Sequence, residues 1–557
     1  MMGRVMAGED SPELLQEALA RLQRNHERDS PGLVGEAFGL IWAARRGLSE
    51  EELLRLLKPA DGPQPPLGTS SFTTWSPLRA ALGDWLVEVD RGGILNFAND
   101  SLRAAFETAF IPDEDGRDEL RLRLADDFER QPISARSCDE LPWLLLQTES
   151  YQRLRHCLLD IDRFLEIKNR DAEELKLYWV DLGEETTMGR LYLASFEQWS
   201  EQWSTLEGRD ESRIAYAANE LGLFLQDSGL YAEAEPLLRS ALDLDTKNLG
   251  ADHPFIAGRL SKLASLLESM NRDDEDEGEV EGMYRRALVI TEQHFGPEDH
   301  NVALRLSNLS AFLLKTNRID EAEKLIRRGL AIAEKSLGPD HPNVAIRLSN
   351  LAGILQRTNR PAQAEPLLRR SLAISESNFG PDHPSVAANL SSLAFVLSDT
   401  NQKAEVEPML RRMLAIDEKN YGREHIAVAR DLNNLASFLE STDRWDEAEP
   451  LYRRALAIFE KNFDKNLGGN LADVGTSLNN LAQVLKKMNR LDEAKPILLR
   501  AVQIFLGLTR ATQQLDPRLQ ITINNYGRLL EAKGRSLEQI DNALHEIAPD
   551  LYRRMTT

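Results

Sequence analysis

The chain has 557 residues, of which 42% are hydrophobic and 28% are charged, and its formal net charge is −23 at pH 7. Such a negative chain is a poor match for a phosphate backbone, because nucleic-acid affinity rests chiefly on Lys and Arg, so we expect no nucleic-acid partner. It has no run of about 18 apolar residues and only two cysteines without a CxxC spacing, which predicts a cytoplasmic protein without a membrane partner.

The first 112 residues are predicted to form a helical, winged-helix-like domain. Apolar patterns indicate helices at 33–46, 49–57 and 75–83, and Ser49 with Glu52 forms the signature of a capping box. Residues 85–97 alternate between apolar and polar side chains around Gly92-Gly93, which is typical of a β-hairpin. Residues 59–71 are rich in Pro and Gly and read as a linker.

Three short sequence motifs in this domain resemble those of a known family. They are Gly47-Leu48-Ser49-Glu50, Trp75-Ser76-Pro77-Leu78-Arg79 and Phe97-Ala98-Asn99-Asp100-Ser101. The segment resembles the winged helix that follows the nucleotide-binding core of STAND-type NTPases, although a His commonly stands where Asn99 or a neighbour stands here. No Gly-x-x-x-x-Gly-Lys-Ser/Thr motif occurs in the sequence. A DNA-binding wing is the competing interpretation, but acidic Glu88 and Asp90 flank the hairpin.

A leucine-rich stretch at 113–210 is predicted to be a helical connector. From there to residue 557 the sequence repeats itself. Gly296, Gly338, Gly380 and Gly422 are each 42 residues apart. A Leu-x-x-Leu-Ala motif and a Glu-Pro motif recur in register with these glycines. Sequence repetition at such a period predicts a solenoid of stacked units.

One unit shows the expected anatomy. Pro342 opens a helix over 343–357, in which Leu348, Leu351 and Leu355 fall on one stripe. A second helix runs over 361–379 and stops at Gly380, which suits a left-handed C-cap. The fold class is therefore predicted to be all-α, with about seven repeats and a degenerate C-terminal cap, and with small insertions confined to turns at 273–281 and 464–470.

The repeated words resemble tetratricopeptide repeats of the kinesin light chain type. The clearest matches are Ala448-Glu449-Pro450-Leu451 with the residues up to Ile458, and Gly338-Pro339-Asp340-His341-Pro342. The resemblance implies a right-handed solenoid whose concave face receives a partner peptide or protein. It implies no catalysis.

The two residues between the leucines of each first helix form the candidate peptide-binding groove. Side-chain amides donate and accept hydrogen bonds, so such a row can bind the backbone of an extended peptide. In kinesin light chains the equivalent asparagines contact cargo peptides, so the resemblance implies the same role for these positions. The alternative is that these side chains solvate the inner face or form hydrogen bonds between neighbouring helices. The asparagine pairs are complete only near the C-terminal end, where any peptide preference is expected to be strongest. The candidates are Asn308, Asn350, Asn433, Asn434, Asn479, Asn480, Asn524 and Asn525, with Arg305 and Arg347 adding capacity for anions.

Recurrent histidines invite a metal interpretation, which the spacing does not favour. Equivalent positions in stacked helices lie on the order of 10 Å apart, so all five are expected to stabilise turns: His253, His300, His341, His383 and His425. We predict no metal, no cofactor and no catalytic residue, since no nucleophile or phosphate-binding motif occurs.

Two functions follow from these patterns. The first is a non-enzymatic scaffold that holds a partner on its concave face. The second is the sensor or regulatory arm of a STAND-like signalling ATPase, in bacterial defence or regulation, which would associate with a separate NTPase or effector subunit.

Overall fold

The structure is a computed structural model that describes residues 12–27, 31–57, 71–89, 93–111, 113–205, 210–270, 277–464, 471–512 and 515–547. Residues 59–70 of the predicted linker lie outside these residues, as do 273–276 and 465–470 of the predicted insertions, whereas 277–281 belong to a helix that begins at Glu277. Contacts divide the chain into two units, with the boundary between Met283 and Tyr284. The predicted domain boundaries at 112 and 210 stay predictions.

The first unit combines many helices with three short strands. Its elements are α1 Pro12–His26, α2 Leu33–Ala43, β1 Leu48–Ser49, α3 Glu50–Leu56, α4 Ser71–Leu82, β2 Leu86–Glu88, β3 Ile94–Phe97, α5 Asp100–Phe110, α6 Glu114–Arg130, α7 Ala135–Gln147, α8 Tyr151–Leu159, α9 Ile161–Arg170, α10 Ala172–Leu182, α11 Glu185–Ser204, α12 Ser212–Asp227, α13 Tyr231–Leu249 and α14 Pro254–Ser269.

The boundary between the units falls within α15, and from there on the described elements are helices joined by turns. The elements are α15 Glu277–Phe295, α16 His300–Lys315, α17 Ile319–Leu337, α18 Pro342–Arg357, α19 Pro361–Phe379, α20 Pro384–Asp399, α21 Lys403–Tyr421, α22 Ile426–Ser441, α23 Trp445–Asp464, α24 Leu471–Lys487, α25 Leu491–Thr512, α26 Pro517–Ala532 and α27 Leu537–Ile547.

The predicted hairpin near the N-terminus is confirmed. β2 and β3 pair antiparallel, and β1, which the sequence pattern did not indicate, pairs with the other edge of β3. A Cβ on Gly47 would lie 2.1 Å from the carbonyl oxygen of Leu95, so this approach requires glycine. The capping box predicted for α3 is also present, between Ser49 and Glu52.

The remaining helices of the first unit pack around aromatic side chains. Trp179 donates a hydrogen bond to the hydroxyl of Tyr192 over 3.1 Å. The ring of Phe164 lies edge-on to those of Tyr192 and Phe224 at 5.1 and 5.4 Å. Because these rings come from α9, α10, α11 and α12, they join the irregular helices to the first regular helical pair.

The repeats of the second unit are pairs of helices. We call the first helix of each pair the A helix (α16, α18, α20, α22, α24 and α26) and the second the B helix. Leu306 and Leu348, from consecutive A helices, lie with Ile332 and Ile374, from the B helices, in one buried cluster. The leucine stripe predicted for 343–357 therefore faces the core, and each repeat buries its apolar face against its neighbours.

Each A helix is joined to its B helix by a residue with a left-handed backbone. Asn359 has a φ of 57°, a conformation in which Asn is better tolerated than most residues. At the far end of the repeat the structure differs from the predicted left-handed C-cap. Gly380 has φ 88° and ψ 164°, a region open essentially to glycine alone.

The turn-stabilising role predicted for the histidines is confirmed at the starts of three A helices. The Nδ1 atoms of His341, His383 and His425 accept hydrogen bonds from backbone N–H groups two residues later, at 3.1 to 3.2 Å. Each therefore acts as an N-cap. In α16 the capping side chain is instead Asp299, next to His300.

The Glu-Pro-x-x-Arg-Arg motif connects consecutive B helices. Glu365 accepts from Arg369 within its own helix at 3.0 Å and from Gln402 of the next repeat at 2.7 Å. Arg370 pairs with Glu334 of the preceding repeat at 2.5 Å. An exposed ion pair contributes little stability by itself, but repeated in phase these contacts select one register of stacking.

Candidate functional site

The candidate site is the amide row, which we define as the predicted asparagines between the two apolar anchors of the A helices; these anchors are two leucines, except in α26, which has Ile523 and Tyr526. Asn350, Asn434 and Asn524 are exposed, and the other five are half-buried. They lie next to the buried anchors in sequence. Residues that flank the apolar stripe of an amphipathic helix lie at the boundary between the core and solvent, which explains their partial exposure. The row separates into members that bond across repeats and members that do not.

Three C-terminal members, Asn433, Asn479 and Asn525, bond to neighbouring A helices. Asn525 donates to the Oδ1 atom of Asn479 at 2.9 Å, and Asn479 donates to Asn480 at 3.3 Å. Asn433 donates to the hydroxyl of Ser477 at 2.7 Å, while its buried Oδ1 atom has no partner. These amides hold consecutive A helices in register, which is the structural role that the sequence left open.

Other members have unused hydrogen-bonding capacity. Within the described part of the chain, no hydrogen bond reaches the side chains of Asn308, Asn350 and Asn434. Asn524 accepts from Gln520, one turn earlier on α26, at 3.1 Å. The three unbonded amides therefore offer donors and acceptors to a ligand without breaking contacts in the fold.

Arg347 lies next to this row in an unusual electrostatic setting. It is 5% exposed, and its Nη1 atom donates to the carbonyl oxygen of Asn343 at 2.7 Å. Its buried Nε atom has no partner, and burial alone lowers its pKa. Burial also lowers the pKa of Arg305 at the equivalent position. In the first unit, by contrast, the equivalent Arg259 donates to Asp245 at 2.7 Å.

Exposed apolar side chains share the row's edge, and the sequence pattern did not single them out. Leu304 is 46% exposed and Ile346 is 56% exposed, and each precedes an unbonded asparagine by four residues, one helical turn. Ile521 and Phe395 are 57% and 61% exposed on other A helices. The sequence signal that could have identified them is an apolar residue outside the i, i+3, i+4, i+7 stripe that forms the core.

The described residues contain no group of three or more His, Cys, Asp or Glu side chains placed to hold a metal ion. Among the described helices, none has both the length and the apolar character needed to cross a bilayer.

Comparison with known families identifies the repeats. The tetratricopeptide repeat model matches residues 301–377, 347–419, 407–461 and 432–506. The model of the nephrocystin-3 TPR domain matches residues 124–336. The chain therefore contains tetratricopeptide repeats, and its fold is that of an all-α tetratricopeptide-repeat protein.

Among curated relatives, human nephrocystin-3 is 36% identical over 137 residues, which are 24% of this chain and 10% of that protein. Two solved structures are among those to which this chain is similar. One is a Podosopora anserina protein described as a kinesin light chain with nearly identical TPR-like repeats (23% identity, TM-score 0.33, 39% of this chain and 99% of that one). The other is a STAND protein with a tetratricopeptide-repeat sensor from Pyrococcus horikoshii (13% identity, TM-score 0.43, 90% of this chain and 73% of that one). At these TM-scores neither likeness bears on function.

Proposed function

We propose that the chain is a non-enzymatic scaffold that binds an extended segment of a partner protein along the amide row of the second unit, on the concave face of the repeats. Tetratricopeptide repeats serve protein–protein interaction, which gives the general function. The observation that carries the finer proposal is the set of exposed or half-buried amides, Asn308, Asn350 and Asn434, that have no partner within the fold.

The chemistry of the neighbouring side chains defines the partner segment. Its backbone would bond to the amides, and its apolar side chains would cover Leu304 and Ile346. A carboxylate on the segment would give the guanidinium of Arg347 the anionic partner that Asp245 gives to Arg259. An extended peptide with alternating apolar residues and one acidic residue fits these three requirements.

The test is capture of partners by the full chain, followed by mass spectrometry, with wild type compared with N350L/N434L. Leucine removes the amides and obstructs the backbone of the segment, so we expect the wild-type partners to be lost. The matched control is Q363L, which makes the same amide-to-leucine change at an exposed position on a B helix. If N350L/N434L folds as wild type does and still captures the same partners, the groove proposal is wrong.

The second candidate, a regulatory arm of a STAND-like ATPase, rests on the N-terminal elements. α2, β1, α3, α4 and the β2–β3 hairpin follow one another in the order of a winged helix, and the sequence words of this segment resemble that part of STAND proteins. A P-loop reading frame directly upstream, whose product binds this chain, would support the regulatory arm. ATP hydrolysis by the purified chain would contradict both candidates.

A further inference from the structure

Two aspartates meet at the junction between consecutive repeats. Asp417 lies on α21 and is 9% exposed, and Asp431 lies on α22 and is 7% exposed. They occupy the positions that Ser375 and Asn389 hold in the preceding repeat, where the two side chains are 2.8 Å apart, so the two carboxyl groups lie close to each other. The Oδ1 atom of Asp417 and the Oδ2 atom of Asp431 are both buried and have no partner.

The same two positions hold a complementary pair in other repeats. In the preceding repeat, Asn389 donates to the hydroxyl of Ser375 at 2.8 Å. In the first unit, Arg259 donates to Asp245 at 2.7 Å. A pair of identical acids at these positions therefore differs from both complementary pairs, and also from Arg347, which occupies the position of Asp431 without a partner for its Nε atom.

Two buried carboxyl groups in contact cannot both be ionised at moderate cost, because each charge disfavours the other and burial disfavours both. A single proton between them removes one charge and gives one carboxyl group a donor with which to hydrogen-bond the other. The pKa of Asp431 is raised to about 8 by burial and then by Asp417, and the pKa of Asp417 is raised by burial. The pair titrates as one unit.

Neighbouring charges do little to relieve this pair. On α21, Glu418 pairs with Arg454 of α23 at 2.7 Å. On α22, Arg430 pairs with Asp473 of α24 at 3.0 Å.

His425, the N-cap of α22, is the other ionisable group among the described residues that acts on the pair, and it lowers the pKa of Asp417. On the preceding A helix, α20, the equivalent junction residue Asn389 is neutral. No described cation therefore takes the place of the shared proton.

We propose that a proton shared between Asp417 and Asp431 closes the junction of α21 with α22, and that rising pH loosens the second unit at this junction. Unlike the Asp245–Arg259 and Ser375–Asn389 junctions, this one depends on a proton. Asn434 follows Asp431 by three residues on the same helix, so the junction also positions this part of the amide row.

The sign of the effect follows from the raised pKa. The folded pair keeps a proton that an unfolded Asp, with a pKa of about 3.9, releases. The stabilisation is fully present below about pH 4 and is lost as the pH rises through about 8. Over this window unfolding releases one proton, so the folding equilibrium constant falls by up to about tenfold per pH unit.

The first test compares urea unfolding of the full chain from pH 5 to 9, in EDTA, for wild type and two variants. D417S/D431N copies the Ser375–Asn389 pair and needs no shared proton, so we expect its profile to lack the wild-type decline. D431R copies the Asp–Arg pair, whose stabilisation is present at high pH and lost on acidification. Parallel profiles for wild type and D417S/D431N would overturn the proposal.

The second test reads the junction directly in the wild-type chain. Hydrogen–deuterium exchange, corrected for the intrinsic effect of pH, should accelerate between pH 6 and 9 in α21 and α22 more than in α19 and α20. Equal acceleration at both junctions would overturn the proposal even if a variant failed to fold. Loss of the pH effect on adding millimolar Mg²⁺ or Ca²⁺ would mean that the pair holds a cation, and would equally overturn it.

Discussion

Asn525 donates its side-chain N–H to the carbonyl oxygen of Asn479, with 2.9 Å between Nδ2 and Oδ1, although the two residues belong to consecutive repeats. Asn479 in turn donates to Asn480. These amides therefore satisfy one another, whereas Asn434, in the same row, has no partner within the described residues. The same sequence motif thus forms hydrogen bonds between A helices in one repeat and leaves polar groups unbonded in another.

This difference predicts unequal effects on stability. N525A should lower the free energy of unfolding by about 0.5–1.5 kcal/mol, because it removes a hydrogen bond between A helices. N434A should change it by less than about 0.5 kcal/mol, as expected for an exposed side chain without contacts. Urea unfolding of both variants measures the difference, and equal losses would contradict the division of the row.

The histidine caps predict a second outcome. H383A removes the acceptor of the Ser385 backbone N–H, a contact of 3.1 Å, and should cost about 1 kcal/mol. H383D should recover most of this loss, since Asp299 caps the equivalent helix. Thermal unfolding of the two variants provides the measurement. A loss in H383D as large as in H383A would show that stacking of His383 on Phe379, at 4.6 Å, matters more than the cap.

The buried pair of the first unit gives a third prediction. D245A leaves the guanidinium of Arg259 buried without its carboxylate and should cost about 3–5 kcal/mol. D245L/R259M removes both charges and should be close to neutral, because well-packed apolar residues replace a buried ion pair at little cost. Denaturant unfolding monitored on the first unit distinguishes the two variants. If the double variant is as unstable as D245A, packing and not charge is the cause.

Two residues of α18, one buried and one exposed, supply a fourth prediction. L348A opens a cavity in a fully buried cluster and should cost about 2–5 kcal/mol. I346A, two residues earlier, truncates a side chain that is 56% exposed and should leave stability almost unchanged while weakening partner capture. Equal destabilisation by the two changes would mean that Ile346 is part of the core.

Much of the second unit could be predicted because local signals agreed with one another. Pro342, the leucine stripe and the break at Thr358-Asn359-Arg360 each mark a boundary of the observed α18 and α19. The need for glycine at Gly380 also followed from sequence, although its backbone lies outside the predicted left-handed region. These features depend on neighbours within one repeat, which a single sequence displays.

Contacts between repeats could not be derived in the same way. The donors that reach Asn479 and Ser477 come from 46 and 44 residues away along the chain, so sequence spacing alone left open whether the amides face a ligand or one another. Strand β1 was missed because two residues are too short to show a periodic pattern. The aspartate pair was missed because Asp417 and Asp431 read separately as ordinary acidic residues.

The variety of buried pairs at the junctions limits how the chain can be rearranged. Ser375–Asn389 and Asp417–Asp431 stand at the same place in consecutive repeats. Exchange of the α20–α21 repeat with the α22–α23 repeat would set Asp431 against Ser375 and would change the donors available there. Although the repeats share one backbone fold, the buried pair at each junction fits only its own two helices. The order of the repeats is therefore constrained as well as their number.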